Sequence, residues 1–177
     1  MGSTITNSRR KAPGGFTLIE ILIVVIILGI VSSIVIPQFS NATHESREAT
    51  LRDCLRYLRT EITIFKAQHR DVSPGYPNGD TTAAADANTF VQQMTMCSDE
   101  YCNLNATPTS TFKFGPYLSQ MPNNPLSTQG AIWVVSGKSM PAPDQSQPYG
   151  WIYNPQTQTV IANLTGTDSS GTPYASY

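Results

Sequence analysis

Residues 14–39 read GGFTLIEILIVVIILGIVSSIVIPQF, and this stretch decides how the rest of the chain must be built. From Ile21 to Ile36 it holds no charged residue. As a helix rising 1.5 Å per residue, Phe16 to Phe39 reaches roughly 36 Å, enough to cross a bilayer. Before it stand Arg9, Arg10 and Lys11, with no acid among the first fifteen positions. A basic flank stays cytoplasmic during insertion, so the segment after the apolar run is expected to be exported. A cleavable secretory signal would end in small residues after its apolar centre, whereas Pro37-Gln38-Phe39 follows here. A plain signal-anchor helix leaves Glu20 unexplained. A carboxylate inside an apolar membrane segment costs about 2.5–3.5 kcal/mol near the bilayer centre, and such a charge calls for a partner.

Beyond the apolar run the chain is polar, turn-rich and carries most of the 13 prolines. The 177 residues suit one head domain after a membrane segment, and a net charge of −1 with 13% charged residues suggests neither a nucleic-acid surface nor a disordered acidic tail. Past Pro37, Leu51, Leu55, Leu58, Ile62 and Phe65 recur at steps of four and three among charged residues, which predicts one amphipathic helix to about Arg70, stopped at Ser73-Pro74-Gly75-Tyr76-Pro77. Pro37 removes a backbone hydrogen bond, so a kink or local melting is expected near Ile34 to Pro37. Asp86 can cap a short helix holding Phe90, Val91 and Met94. Gly115 to Pro125 reads as an ordered, proline-fixed linker on the core.

Strands are expected at Ala131–Val135, Tyr149–Tyr153 and Thr159–Leu164, the last two joined across Asn154-Pro155-Gln156-Thr157-Gln158 as an antiparallel hairpin. The fold class is therefore α+β: a long N-terminal helix packed on a small antiparallel sheet of about three strands. Trp133, Trp151 and Tyr153 fall on these strands and are read as core. Three cysteines, Cys54, Cys97 and Cys102, give an odd count, and in an exported domain the close pair Cys97 and Cys102 is the disulfide candidate, worth about 2 kcal/mol by loop closure. Cys54 is either buried on the helix stripe or bonded to one of them. No zinc site competes, since a second pair of ligands at metal spacing is missing and His44 and His69 stand far from Cys97 in sequence.

Gly14-Gly15-Phe16-Thr17-Leu18-Ile19-Glu20 closely resembles the processing site of type IV prepilins and type II secretion pseudopilins. There a basic leader and a glycine precede a phenylalanine that opens an apolar helix with glutamate as its fifth residue. The resemblance implies that a prepilin peptidase cuts between Gly15 and Phe16 and methylates the new amino group of Phe16. It also implies that Glu20 pairs with the N-terminal ammonium of a neighbouring copy, and that Gly29 and Pro37 let the helix unwind in a filament. On this reading residues 1–15 are a cleaved leader, 16–39 the transmembrane and filament-core helix, 40–72 the amphipathic helix, and 73–177 the loops and sheet of the head.

The resemblance further implies an inner-membrane protein with a periplasmic head. Its partners are further copies of itself, the peptidase, an assembly platform with secretion machinery, and lipid, but no nucleic acid. Size and the lack of a cysteine pair near the C-terminus favour a type II secretion pseudopilin over a type IV pilin for adhesion or motility. Major pseudopilins often bind calcium in a C-terminal loop, and Thr167-Asp168-Ser169-Ser170-Gly171 offers one carboxylate for it; no other cofactor is expected. Gly137-Lys138-Ser139 lacks the first glycine of a phosphate loop, Met1-Gly2 with Thr6 matches a short acylation pattern by chance, and the Asn41, Asn105 and Asn163 triplets are uninformative. No catalytic signature surrounds either histidine, so no enzyme is expected. The rival from another class is a periplasmic enzyme or binding module that uses the helix only as a tether.

Overall fold

The computed structural model describes residues 15–177, without the side chains of residues 37, 40 and 41. Residues 1–14 of the expected leader, with Arg9, Arg10, Lys11 and Gly14, lie outside the described residues. One helix, α1, runs from Leu18 to Gln68. The chain divides into two compact units, residues 1–42 and 43–177, described separately below.

In the first unit, Leu18–Ile36 is a 19-residue span with mean hydropathy 3.0, none of it buried within the protein. Every large apolar side chain along it presents at least 40% of its surface, as a helix meant for lipid or for other helices must. The helix continues without interruption through Pro37, so the local melting expected there does not occur in the isolated chain. Proline removes the amide bond to the Ser33 carbonyl, and the residues on both sides remain helical. A Cβ placed on Gly29 would meet nothing within 4 Å, so this glycine is not required by packing within the subunit.

In the second unit, the expected stripe is the core: Leu51, Leu55, Leu58, Ile62 and Phe65 are each at most 3% exposed. The helix stops slightly earlier than the prolines require. Arg70 and Asp71 adopt left-handed conformations at φ 54° and 67°, and the amides of His69 and Asp71 both turn back to the Lys66 carbonyl at 3.3 and 3.1 Å. A short helix α2, Ala87–Thr95, is capped by Asp86, whose side chain accepts the Thr89 amide at 2.9 Å and the Thr89 hydroxyl at 2.6 Å. It drives Phe90 and Met94 into the core.

Two strands follow that the sequence pattern does not announce, β1 (Cys97–Ser98) and β2 (Leu104–Asn105), paired antiparallel. The three expected strands appear as β3 (Ile132–Val134), β4 (Trp151–Asn154) and β5 (Thr159–Ala162) in the order β3-β4-β5. The β4–β5 hairpin is antiparallel, as its turn demands, with Ile152 opposite Ile161. β3, however, joins β4 in parallel, Trp133 facing Ile152, so the sheet is mixed rather than wholly antiparallel. Residues 135–150 supply the long crossover that a parallel pair needs. Trp151 and Tyr153 are fully buried, but Trp133 is 38% exposed: β3 alternates buried, exposed, buried, and its middle residue points away from the core to meet Tyr149 at 5.3 Å.

The proline-rich linker lies on the core as expected. The amides of Tyr117 and Leu118 both donate to the Met94 carbonyl, and the Trp151 indole donates to the Pro122 carbonyl at 2.8 Å. Gly115, at φ +73°, passes so close to the chain before β1 that an added Cβ would lie 2.6 Å from the Met96 oxygen. Cys97 and Cys102 are buried free thiols and Cys54 is a half-buried one, so the bridge expected between Cys97 and Cys102 is not formed here.

Candidate functional site

The expected assembly residues sit together at the start of α1. Gly15, Phe16 and Thr17 precede the helix in exposed, irregular backbone, and Phe16 presents 82% of its surface. A Cβ on Gly15 would meet nothing within 4 Å. The Gly15–Phe16 peptide bond is thus open on its flanks, as a protease substrate must be.

Three residues on, Glu20 is bound to Thr17 in both directions. The Thr17 hydroxyl accepts the Glu20 amide at 3.2 Å, while a Glu20 carboxylate oxygen accepts the Thr17 amide and hydroxyl, each at 2.8 Å. This is a capping box, with Thr17 at the N-cap and Glu20 as the third helical residue. Its signature, Thr17-Leu18-Ile19-Glu20, is legible in the sequence but is masked by the membrane reading of the same residues. The carboxylate therefore has local hydrogen bonds in a single subunit but no positive charge opposite it among the described residues. The positive end of the helix dipole also favours an anion there.

The second notable cluster was not anticipated as a unit. Glu48 is 1% exposed on α1, and its carboxylate accepts from the Tyr174 hydroxyl at 2.9 Å, the Ser169 amide at 3.1 Å and the Ser169 hydroxyl at 3.0 Å, with His44 Nδ1 at 3.1 Å. Burial pushes the Glu48 carboxyl up, yet the bonds from Tyr174 and Ser169 outweigh it and hold the group below its ordinary value. One turn on, Arg52 pairs with Asp168 at 2.5 Å and donates to the Tyr177 hydroxyl at 2.7 Å. Asp168 also accepts from the Tyr177 hydroxyl at 2.6 Å and from the Ser170 and Thr172 amides at 2.8 Å each. Led by the Tyr177 bond, these donors hold the Asp168 carboxyl at about 2.

The helix terminus ahead of the linker holds His69, fully buried, with Nδ1 at 2.6 Å from the Phe65 carbonyl and Nε2 at 2.8 Å from the Ser98 hydroxyl. Its ring stacks on Phe65 at 3.8 Å. It is a structural histidine rather than a ligand or a base. Among the described residues no three His, Cys, Asp or Glu side chains are grouped to hold a metal.

A long apolar helix with an acid in its first turn, joined to an α+β head that covers the polar half of the same helix, is an arrangement consistent with a pilin-like fold. Comparison with known proteins agrees. Residues 10–36 match the family described as the prokaryotic N-terminal methylation motif. A stretch of 58 residues is 31% identical to the type II secretion system core protein G of Pseudomonas aeruginosa, covering 33% of this chain and 41% of that protein. The chain thus matches less than half the length of this curated relative. No solved structure gives a significant match.

Proposed function

We propose that this chain is a structural subunit of a type II secretion pseudopilus, acting by polymerisation and not by catalysis. The observation that carries the reading is Glu20, an acid at the head of a fully unburied apolar helix, inside a matched methylation motif. A prepilin peptidase cuts between Gly15 and Phe16, adds one methyl group to the freed amine of Phe16, and leaves an ammonium four residues before Glu20. Among the described residues of a lone subunit, the carboxylate is held by Thr17. Beside a second copy, the ammonium of one chain meets the carboxylate of the other where little water competes, and the pairing offsets the cost of keeping either charge in an apolar surrounding. Register follows, because only one stagger between helices brings the two charges together.

The head stays on the periplasmic side of the inner membrane until an assembly platform draws the subunit into the filament. Similarity to a secretion-system core protein favours secretion, while the motif itself is equally compatible with a type IV pilin of a surface pilus; filament length in micrographs distinguishes them. The test is the mass and N-terminal sequence of the mature protein. The expected result is a chain beginning at Phe16 with one added methyl group. Protein intact at Met1, or cut elsewhere, leaves the helix as a mere tether for a periplasmic enzyme or binding module and overturns the proposal.

A further inference from the structure

Resemblance to major pseudopilins implies calcium in the C-terminal loop, and the loop of this chain is built for a different occupant. Calcium takes about six to eight oxygen ligands, with carboxylates bringing negative charge. Around Asp168 the groups turned inward are donors: the Ser170 and Thr172 amides, the Tyr177 hydroxyl and the Arg52 guanidinium. Both carboxylate oxygens are taken, each by two of these donors. The one other buried acid nearby, Glu48, is likewise filled by the Ser169 amide and hydroxyl, the Tyr174 hydroxyl and His44. A divalent cation would have to displace a guanidinium and face backbone N–H groups.

We propose that residues 167–177 are closed onto α1 by a metal-free clasp, in which Arg52 takes the place of a calcium ion for Asp168, and Glu48 receives the loop's amide and phenol donors. Donors of Ser169 and Tyr174 meet Glu48, and acceptors of Asp168 and Tyr177 meet Arg52 one turn on, so the loop cannot shift along the helix without breaking both sets. The Arg52 guanidinium also lies over the Tyr177 ring at 4.5 Å, which ties the end of the loop to the same turn. Arg59, further along this face, donates to the main-chain oxygens of Val160 and Tyr177 and joins β5 to the clasp. The inference concerns only the head and stands whether the filament serves secretion or adhesion.

The test uses the full chain in detergent micelles, followed by thermal melting and by amide exchange of residues 167–177. For the native sequence, millimolar calcium chloride and excess EGTA are expected to give the same melting midpoint and the same exchange. Arg52→Met and Asp168→Asn are each expected to lower the midpoint by at least ~3 °C and to speed exchange in the loop, equally in calcium and in EGTA. The double variant should be little worse than either single one, because both remove the same pair. A midpoint that rises with calcium and falls with EGTA in the native chain, or an Arg52→Met chain as well protected as the native one, overturns the clasp. Even if a variant fails to fold, the calcium and EGTA comparison on the native chain decides the matter.

Discussion

In the proposed filament Glu20 has two partners to choose between, Thr17 of its own chain and the ammonium of a neighbouring copy. In the capping box the carboxylate satisfies the Thr17 amide, an effect worth about 1 kcal/mol at a helix start. A glutamine at this position keeps the hydrogen-bonding shape but carries no charge. Glu20→Gln and Glu20→Ala are therefore both expected to be processed to Phe16 and to remain in the membrane fraction, and both to yield no filament; sheared-fibre yield by immunoblot is the measurement. Normal fibres from Glu20→Gln would mean that the hydrogen bond, not the charge, drives docking. His69 presents the opposite case of a titratable group with no outward role. Burial lowers its proton affinity, and the Phe65 carbonyl and Asp99 only partly oppose this. Its value in the folded head is depressed, so its contribution to stability is complete above the unfolded value near about 6.5 and is lost as pH falls through the folded one. A head that melts earlier at mildly acidic pH, with the difference reduced in His69→Phe, is the expected outcome; an identical acid dependence in the variant would assign the effect elsewhere.

At the scale of elements, legibility follows how local the cause is. The stripe from Leu51 to Phe65, the Asp86 cap and the β4–β5 hairpin each arise from residues within a few positions of one another, and each forms where the pattern places it. The parallel pairing of β3 depends on how residues 135–150 cross over, and that stretch carries no periodic signal. The β1–β2 pair is two residues long on each side, below the length at which alternation can be recognised. The Glu48 and Arg52 clasp joins residues more than a hundred positions apart, with no local signature on the helix side. The melting expected near Pro37 does not occur for another reason: proline weakens one helical bond, and a single weak link in an otherwise favourable run does not melt it without outside contacts. The energies differ in the same way. Asp86→Ala removes one cap and is expected to cost about 1 kcal/mol in denaturant unfolding. Trp151→Ala empties a fully buried site, loses the bond to Pro122 and is expected to cost about 3–5 kcal/mol. A near-neutral Trp151→Ala would mean that the mixed sheet is not the centre of the head.

For the whole molecule, the proposed membrane anchoring puts the two halves of α1 in different solvents, and the chain must be threaded so that each meets its own. The span Leu18–Ile36 buries nothing inside the subunit, whereas the residues from Leu51 onward bury a continuous stripe against the sheet. Nothing in either half tells the membrane which end stays inside. On the proposed orientation that information lies in Arg9, Arg10 and Lys11, since positive charge close to a spanning helix is retained in the cytoplasm and acidic charge counts for little. Removing the three charges together, as Arg9→Gln, Arg10→Gln and Lys11→Gln, should therefore randomise or invert insertion while leaving the helix and the head intact. An alkaline phosphatase reporter fused after Tyr177, active only outside the cytoplasm, should lose most of its activity in the triple variant while the membrane-bound amount of protein is unchanged. Inverted subunits would carry Phe16 and Glu20 on the side away from the peptidase, so the same variant should also accumulate uncut. Full reporter activity with uncut precursor would place the basic residues in peptidase recognition instead of orientation, and full activity with normal cutting would give them neither part.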